Sequence, residues 1–136
     1  MIKKYAFPAV LLLLLFTACR SKHKINQQSD EIYSRHLQRQ VKLTIINTPM
    51  PGDKTELNLL ILNDGQDMEK LGVKEALDSL YKKGLIRPLL IVGVHAGDRE
   101  QEYGVAGYPD FLKRGDKAGF YDAFINNELY PFAKKN

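Results

Sequence analysis

The residues best placed to do chemistry form one short run, Asp64-Gly65-Gln66, at the end of the apolar stretch Leu57 to Leu62. In open α/β sheets, ligands bind at the carboxyl edge of the strands. Gly65 permits a tight turn there, so the backbone N–H of Gln66 can point into a cleft. A backbone donor aimed at a developing oxyanion is a main source of acyl-transfer catalysis. The other reading of the same three residues is a plain turn that ends a strand and starts a helix, and spacing alone does not choose between them.

The usual partners of such a donor are missing from the sequence. Ser21, Ser29, Ser34 and Ser79 do not stand in a Gly-x-Ser-x-Gly context, the strained elbow that exposes a nucleophile. His23 and His36 precede the first clear strand pattern, and His95 closes a buried run, where a lone histidine is an ordinary structural residue. No Ser-His-Asp set can be assembled. One cysteine and three scattered histidines offer no metal-ligand spacing. There is no phosphate loop and no dinucleotide fingerprint, so no cofactor and no metal are expected.

The elements that would position these residues follow from periodicity. Val41, Leu43 and Ile45 alternate with Lys42 and Thr44, the pattern of a half-buried strand. Pro49, Pro51, Gly52 and Asp53 then mark a turn. Leu57–Leu62 and Pro88–Val94 are nearly continuous apolar runs and read as strands buried on both faces. Between them, Val73, Leu77, Leu80 and Tyr81 share one stripe of a helix expected over 67–83, with Asp67 as its cap and Gly84 just past its end. Residues 97–117 read as a glycine-punctuated loop. A last helix over about 116–132 places Tyr121, Ile125, Leu129 and Phe132 on one stripe, which Phe120 and Phe124 widen. Strand, strand, helix, strand, helix implies an α/β fold with a mostly parallel sheet. An α+β domain complete at this length is the alternative.

The amino terminus is of another kind. Lys3 and Lys4 precede the apolar run Ala6 to Phe16, which falls short of the about 20 residues needed to cross a bilayer. It therefore reads as a secretory signal over residues 1–18. Phe16-Thr17-Ala18-Cys19 resembles the lipobox of bacterial lipoproteins, in which the cysteine thiol receives a diacylglycerol. The expectation is a chain anchored to a membrane through acyl chains on Cys19, with residues 19–33 as a lipidated polar tether and 34–136 as the domain. No acidic residue follows Cys19 directly, which fits the outer membrane of a bacterial cell envelope. Removing residues 1–18 takes away two lysines and no acid, so the formal charge falls from +4 to +2. The basic balance thus belongs partly to the signal and does not point to nucleic acid.

Several segments together resemble the esterase family of α/β-hydrolases, which includes enterochelin-esterase-like proteins, esterase D, feruloyl esterases and mycolyltransferases. They are Leu59 to Gln66, Gly84 to Val94, Arg99-Glu-Gln-Glu-Tyr103, and Phe120 through Glu128-Leu-Tyr-Pro-Phe132. The resemblance covers residues 34–136. It implies the N-terminal strands and helices of a partial α/β-hydrolase fold, with the backbone of Gln66 as one oxyanion-hole donor. It also implies that Asp64, Gly65, Arg99, Glu102 and Tyr103 shape the cleft, and that the ligand is an ester or sugar ester. In the family the nucleophile, acid and histidine come later in the chain than any residue present here. The resemblance therefore implies a truncated, inactive front half of a serine carboxylic-ester hydrolase, with a complementing C-terminal half as a possible partner. The alternative reading is a small non-catalytic lipoprotein for ligand binding or interaction.

Overall fold

The computed structural model describes residues 24–49 and 58–135. The expected signal, Cys19, and the turn at Pro51, Gly52 and Asp53 lie outside the described residues. Four strands, β1 (Asn26–Ser34), β2 (Arg39–Asn47), β3 (Asn58–Asn63) and β4 (Leu89–Val94), form one sheet in the order β1-β2-β4-β3. The pairings β1–β2 and β2–β4 are antiparallel and β3–β4 is parallel. The sheet is therefore mixed, and the mostly parallel sheet expected from the sequence is corrected. An apolar run says nothing of strand direction, and β3, expected to be buried on both faces, has no fully buried residue and leaves Leu60 exposed, whereas β4 is buried along nearly its whole length.

β1 occupies residues that the sequence assigns to the polar tether. Gln27, Gln28, Ser29, Asp30 and Glu31 would not suit a central strand, but β1 is the outer strand of a hairpin. Its inner edge pairs with β2 in a register running from Asn26↔Asn47 to Ser34↔Arg39, and its outer edge is left to water. Ile25 just before it is buried against Ile46, Met68, Leu77 and Ile91. Among the described residues, Ile25 and β1 thus pack onto the body ahead of residue 34.

The sheet separates two clusters. On one face Val41, Leu43, Ile45, Leu90, Val92 and Val94 meet Tyr121, Phe124, Leu129 and Ala133. On the other, Ile46 and Ile91 meet Met68 and Leu77. Leu77 and its partly buried neighbours Val73 and Tyr81 lie on α1 (Val73–Lys82). This helix starts six residues later than expected. Gly65–Asp67 is a 3-10 turn instead, and Gly72 caps the helix at a φ of 63°. The expected end is observed. Gly84 takes a φ of 68°, its N–H reaches the Tyr81 carbonyl at 3.0 Å, and the Leu85 N–H reaches that of Leu80 at 3.0 Å. That is the Schellman arrangement, which satisfies the last carbonyls.

The expected loop at 97–117 contains a short helix, α2 (Arg99–Glu102), capped by Asp98. The final helical run comprises α3 (Ala118–Phe124), a π turn (Ile125–Leu129) and α4 (Tyr130–Lys135). Five residues of regular α-helix would rotate a side chain by about 140°. The wider π turn keeps Phe124 and Leu129, both fully buried, on one face. Pro131 stands two residues past its end and lacks the N–H that the Asn127 carbonyl would accept in an α-helix. Among the described residues no helix is long and apolar enough to cross a membrane.

The outer edge of β3 pairs with no strand among the described residues. Its side chains carry no charge, and Leu60 is exposed. An uncharged free edge invites pairing with another chain. Leu60→Lys is therefore expected to lower self-association, read by light scattering at tens of micromolar, with a melting temperature within about 2 °C of the parent. Unchanged scattering would show that the edge is not the sticky surface.

Candidate functional site

β3 delivers the chain to the carboxyl edge of the sheet. Asp64 turns it there in the left-handed region, at φ 59° and ψ 45°. Aspartate tolerates this conformation better than most residues because its short side chain can bond locally. Here the carboxylate accepts from Gln66 Nε2 at 3.0 Å and from the Arg99 guanidinium at 2.9 Å. Gly65 is buried against Gly93 of β4. A Cβ on Gly65 would overlap the Gly93 carbonyl carbon and oxygen, so only glycine allows the 3-10 turn to lie on that strand. A Cβ on Gly93 would in turn meet the Met68 side chain and the Gly65 Cα. The turn and the strand are thus locked by two glycines facing each other, with Met68 packed over them.

Gln66 itself is exposed. Its side-chain carbonyl accepts from the Ala96 N–H at 3.1 Å, which bridges the turn after β3 to the chain leaving β4. The run Asp64-Gly65-Gln66 and Arg99, 35 positions from Asp64 in sequence, therefore meet at one edge. The Asp64–Arg99 pair is partly solvated, with side-chain exposures of 24% and 59%. It orients these groups more than it stabilises the fold.

Tyr103 lies beneath this edge. Its ring makes an edge-on contact with Tyr121 at 5.4 Å between centroids, and the Tyr121 hydroxyl donates to Asn63 Oδ1 at 2.7 Å. Burial raises the Tyr103 phenol above its ordinary range, against an opposing interaction with the Asp64 backbone, and the charges of Asp64 and Glu102 add smaller rises. Burial does the same, more strongly, at Tyr121. Both rings are therefore neutral at ordinary pH and can serve as hydrogen-bonding groups, not as anions. Glu102 points the other way. It is 4% exposed and takes two hydrogen bonds from Arg39, at 2.8 and 2.7 Å.

A hollow of about 460 Å³ opens beside these residues, lined by Arg99, Tyr103, Val105, Tyr108, Asp110 and Arg114 among others. Both of its arginines are engaged, Arg99 with Asp64 and Arg114 with Asp110. Hydrogen bonds from the Arg114 backbone and side chain hold the Asp110 carboxyl below its ordinary range.

The remaining candidates stand elsewhere. Ser34 is buried and accepts from the Leu37 N–H, while Ser29 and Ser79 are exposed on β1 and α1. His95 bonds through Nε2 to the Thr44 hydroxyl at 2.8 Å. Burial, and then Lys42, push its pKa down. Among the described residues no three of His, Cys, Asp and Glu come close enough to hold a metal ion.

Arg39, Asn63, Gly93 and Tyr121 take part in this site without having been singled out as site residues from the sequence. Only Gly93 carried a signal, because a glycine inside a buried strand often marks close approach of another backbone. The Arg39–Glu102 contact spans 63 positions and has no local signature.

The fold is shared with proteins of known structure, two of the following three named as esterases. Enterochelin esterase from Shigella flexneri superposes with a TM-score of 0.62 at 23% identity, over 79% of this chain and 25% of that one. The BES protein from Bacillus cereus gives 0.60 at 21% identity, over 82% and 48%. A ferulic acid esterase gives 0.56 at 19% identity, over 83% and 43%. The chain thus spans less than half the length of each of these structures. No curated protein matches it. The Esterase family model, described as "Putative esterase", matches residues 34–136. The chain belongs to that esterase family.

Proposed function

We propose that this chain is the front part of an esterase-type α/β-hydrolase domain and supplies one half of its oxyanion hole, the backbone N–H of Gln66. The observation that carries this reading is the Gly65–Gly93 contact. It seats the Asp-Gly-Gln turn at the carboxyl ends of β3 and β4, where a ligand carbonyl would arrive. In such a site a serine oxygen attacks the ester carbonyl, and the N–H of Gln66 bonds the oxygen that gains negative charge. Asp64 and Arg99 hold the turn, and Tyr103 supports it from below. The substrate class is a carboxylic ester. The anchor is lipid on Cys19, in a bacterial envelope.

The sequence contains no Gly-x-Ser-x-Gly, so the chain alone is expected not to turn over p-nitrophenyl acetate above blank. Joined to the carboxyl-terminal part of the ferulic acid esterase it resembles, it is expected to hydrolyse that ester, and Gln66→Pro should lower kcat about a hundredfold. Turnover by the chain alone that is lost in Gln66→Pro would overturn the proposal, because it would require a nucleophile within these residues. The hollow beside Tyr103 and Tyr108 supports a second reading, a non-catalytic ligand-binding lipoprotein, which predicts ester binding without turnover in either form.

A further inference from the structure

We propose that Arg39 is a positioning residue for the Asp64-Gly65-Gln66 turn, acting through Glu102. The role assigned to the turn rests on the ester-hydrolase reading above. Arg39 opens β2 and lies in no motif. Its guanidinium grips Glu102 in a two-pronged pair, Nε to Oε1 at 2.8 Å and NH2 to Oε2 at 2.7 Å. Such forked pairs fix orientation as well as distance. The same carboxylate accepts from the Gly97 N–H at 3.3 Å. Gly97 leaves no room for a side chain, since a Cβ would sit 2.5 Å from Arg39 Nε and 2.7 Å from Glu102 Oε1. One buried carboxylate thus ties the start of β2 to the end of α2 and to the chain leaving β4.

The segment held in this way reaches the turn from both of its ends. Ala96 donates its N–H to the Gln66 side chain at 3.1 Å, and Arg99 bonds the Asp64 carboxylate at 2.9 Å. Gln66 closes the ring on Asp64 at 3.0 Å. The contacts at the turn are exposed and individually weak. The Arg39–Glu102 pair is the buried member, and losing Arg39 would leave an uncompensated carboxylate. The position of the segment is therefore set at Arg39 and transmitted to the turn through Ala96 and Arg99.

Hydrogen–deuterium exchange on the full chain tests this. In Arg39→Met, the amides of Asp67, Met68 and Ala96 are expected to exchange about tenfold faster, while those of the β2–β4 ladder and α3 keep their rates. Arg39→Lys keeps a positive charge on Glu102 and should return those three amides toward the parent values. Glu102→Gln, a milder change should the Met variant fail to fold, should repeat the pattern with smaller shifts. Faster exchange confined to 96–103, with Asp67 and Met68 unchanged, would overturn the proposal and leave Arg39 a loop anchor. Uniform acceleration across the sheet would overturn it too, as general destabilisation. Failure of the ester-hydrolase reading shows differently, as the exchange pattern above together with an inactive fusion.

Discussion

Gly65→Ala is expected to lower the stability of the domain by about 3 kcal/mol, which corresponds to a fall of roughly 15 °C in melting temperature for a domain of this size. The cause is steric and local. The new methyl would overlap the backbone carbonyl of Gly93, and backbone in a central strand cannot yield as the end of a side chain can. The turn would lift from β4 and carry the Gln66 N–H with it, so any hydrolysis by the fusion would be lost along with stability. Gly84→Ala is the informative comparison. There the backbone sits at a φ of 68° with nothing within 4 Å of a new Cβ, so the cost is the left-handed strain alone, about 1 kcal/mol. Thermal melts of the two variants, followed by circular dichroism, decide the matter. A Gly65→Ala melt no lower than that of Gly84→Ala would mean that the turn does not rest on Gly93.

Phe124→Ala is expected to cost about 3–5 kcal/mol, enough to leave a marginally stable domain largely unfolded. Phe124 is fully buried between the sheet and the π turn, with Tyr121 6.0 Å away between ring centroids. Phe120 lies four residues earlier and is 56% exposed, so Phe120→Ala should change stability by about 0.5 kcal/mol or less. Urea denaturation of the pair measures both values. Equal losses would show that the helix face is assigned wrongly.

The pair also marks where periodicity stopped being informative. Read at 3.6 residues per turn, the sequence places Phe120 and Phe124 together at the border of a stripe centred on Tyr121, Ile125 and Leu129. The π turn breaks that period. The residues that α3, the π turn and α4 bury in the main cluster are Tyr121, Phe124, Leu129 and Ala133, with Ile125 and Phe132 only partly covered. Tertiary packing against β2 and β4 chose that set, and a single stripe cannot anticipate a change of helical pitch. The hairpin strand β1 escaped for a related reason. Its polar residues need no burial because β1 is an edge strand, paired with β2 on one side and open to water on the other, so composition resembled a tether.

What the sequence determined by itself was whatever depends on neighbouring residues. The runs that become β2, β3 and β4, the glycine stop at Gly84, the Asp-Gly-Gln turn and the family segments are all legible in it, because period, turn chemistry and motif are local properties. What the tertiary structure alone decided was direction and long-range pairing: the antiparallel placement of β2 beside β4, the contact of Gly65 with Gly93, and the burial of Glu102 on Arg39. These depend on which surfaces meet once the sheet has formed, and residues 28 or 63 positions apart carry no local sign that they will touch.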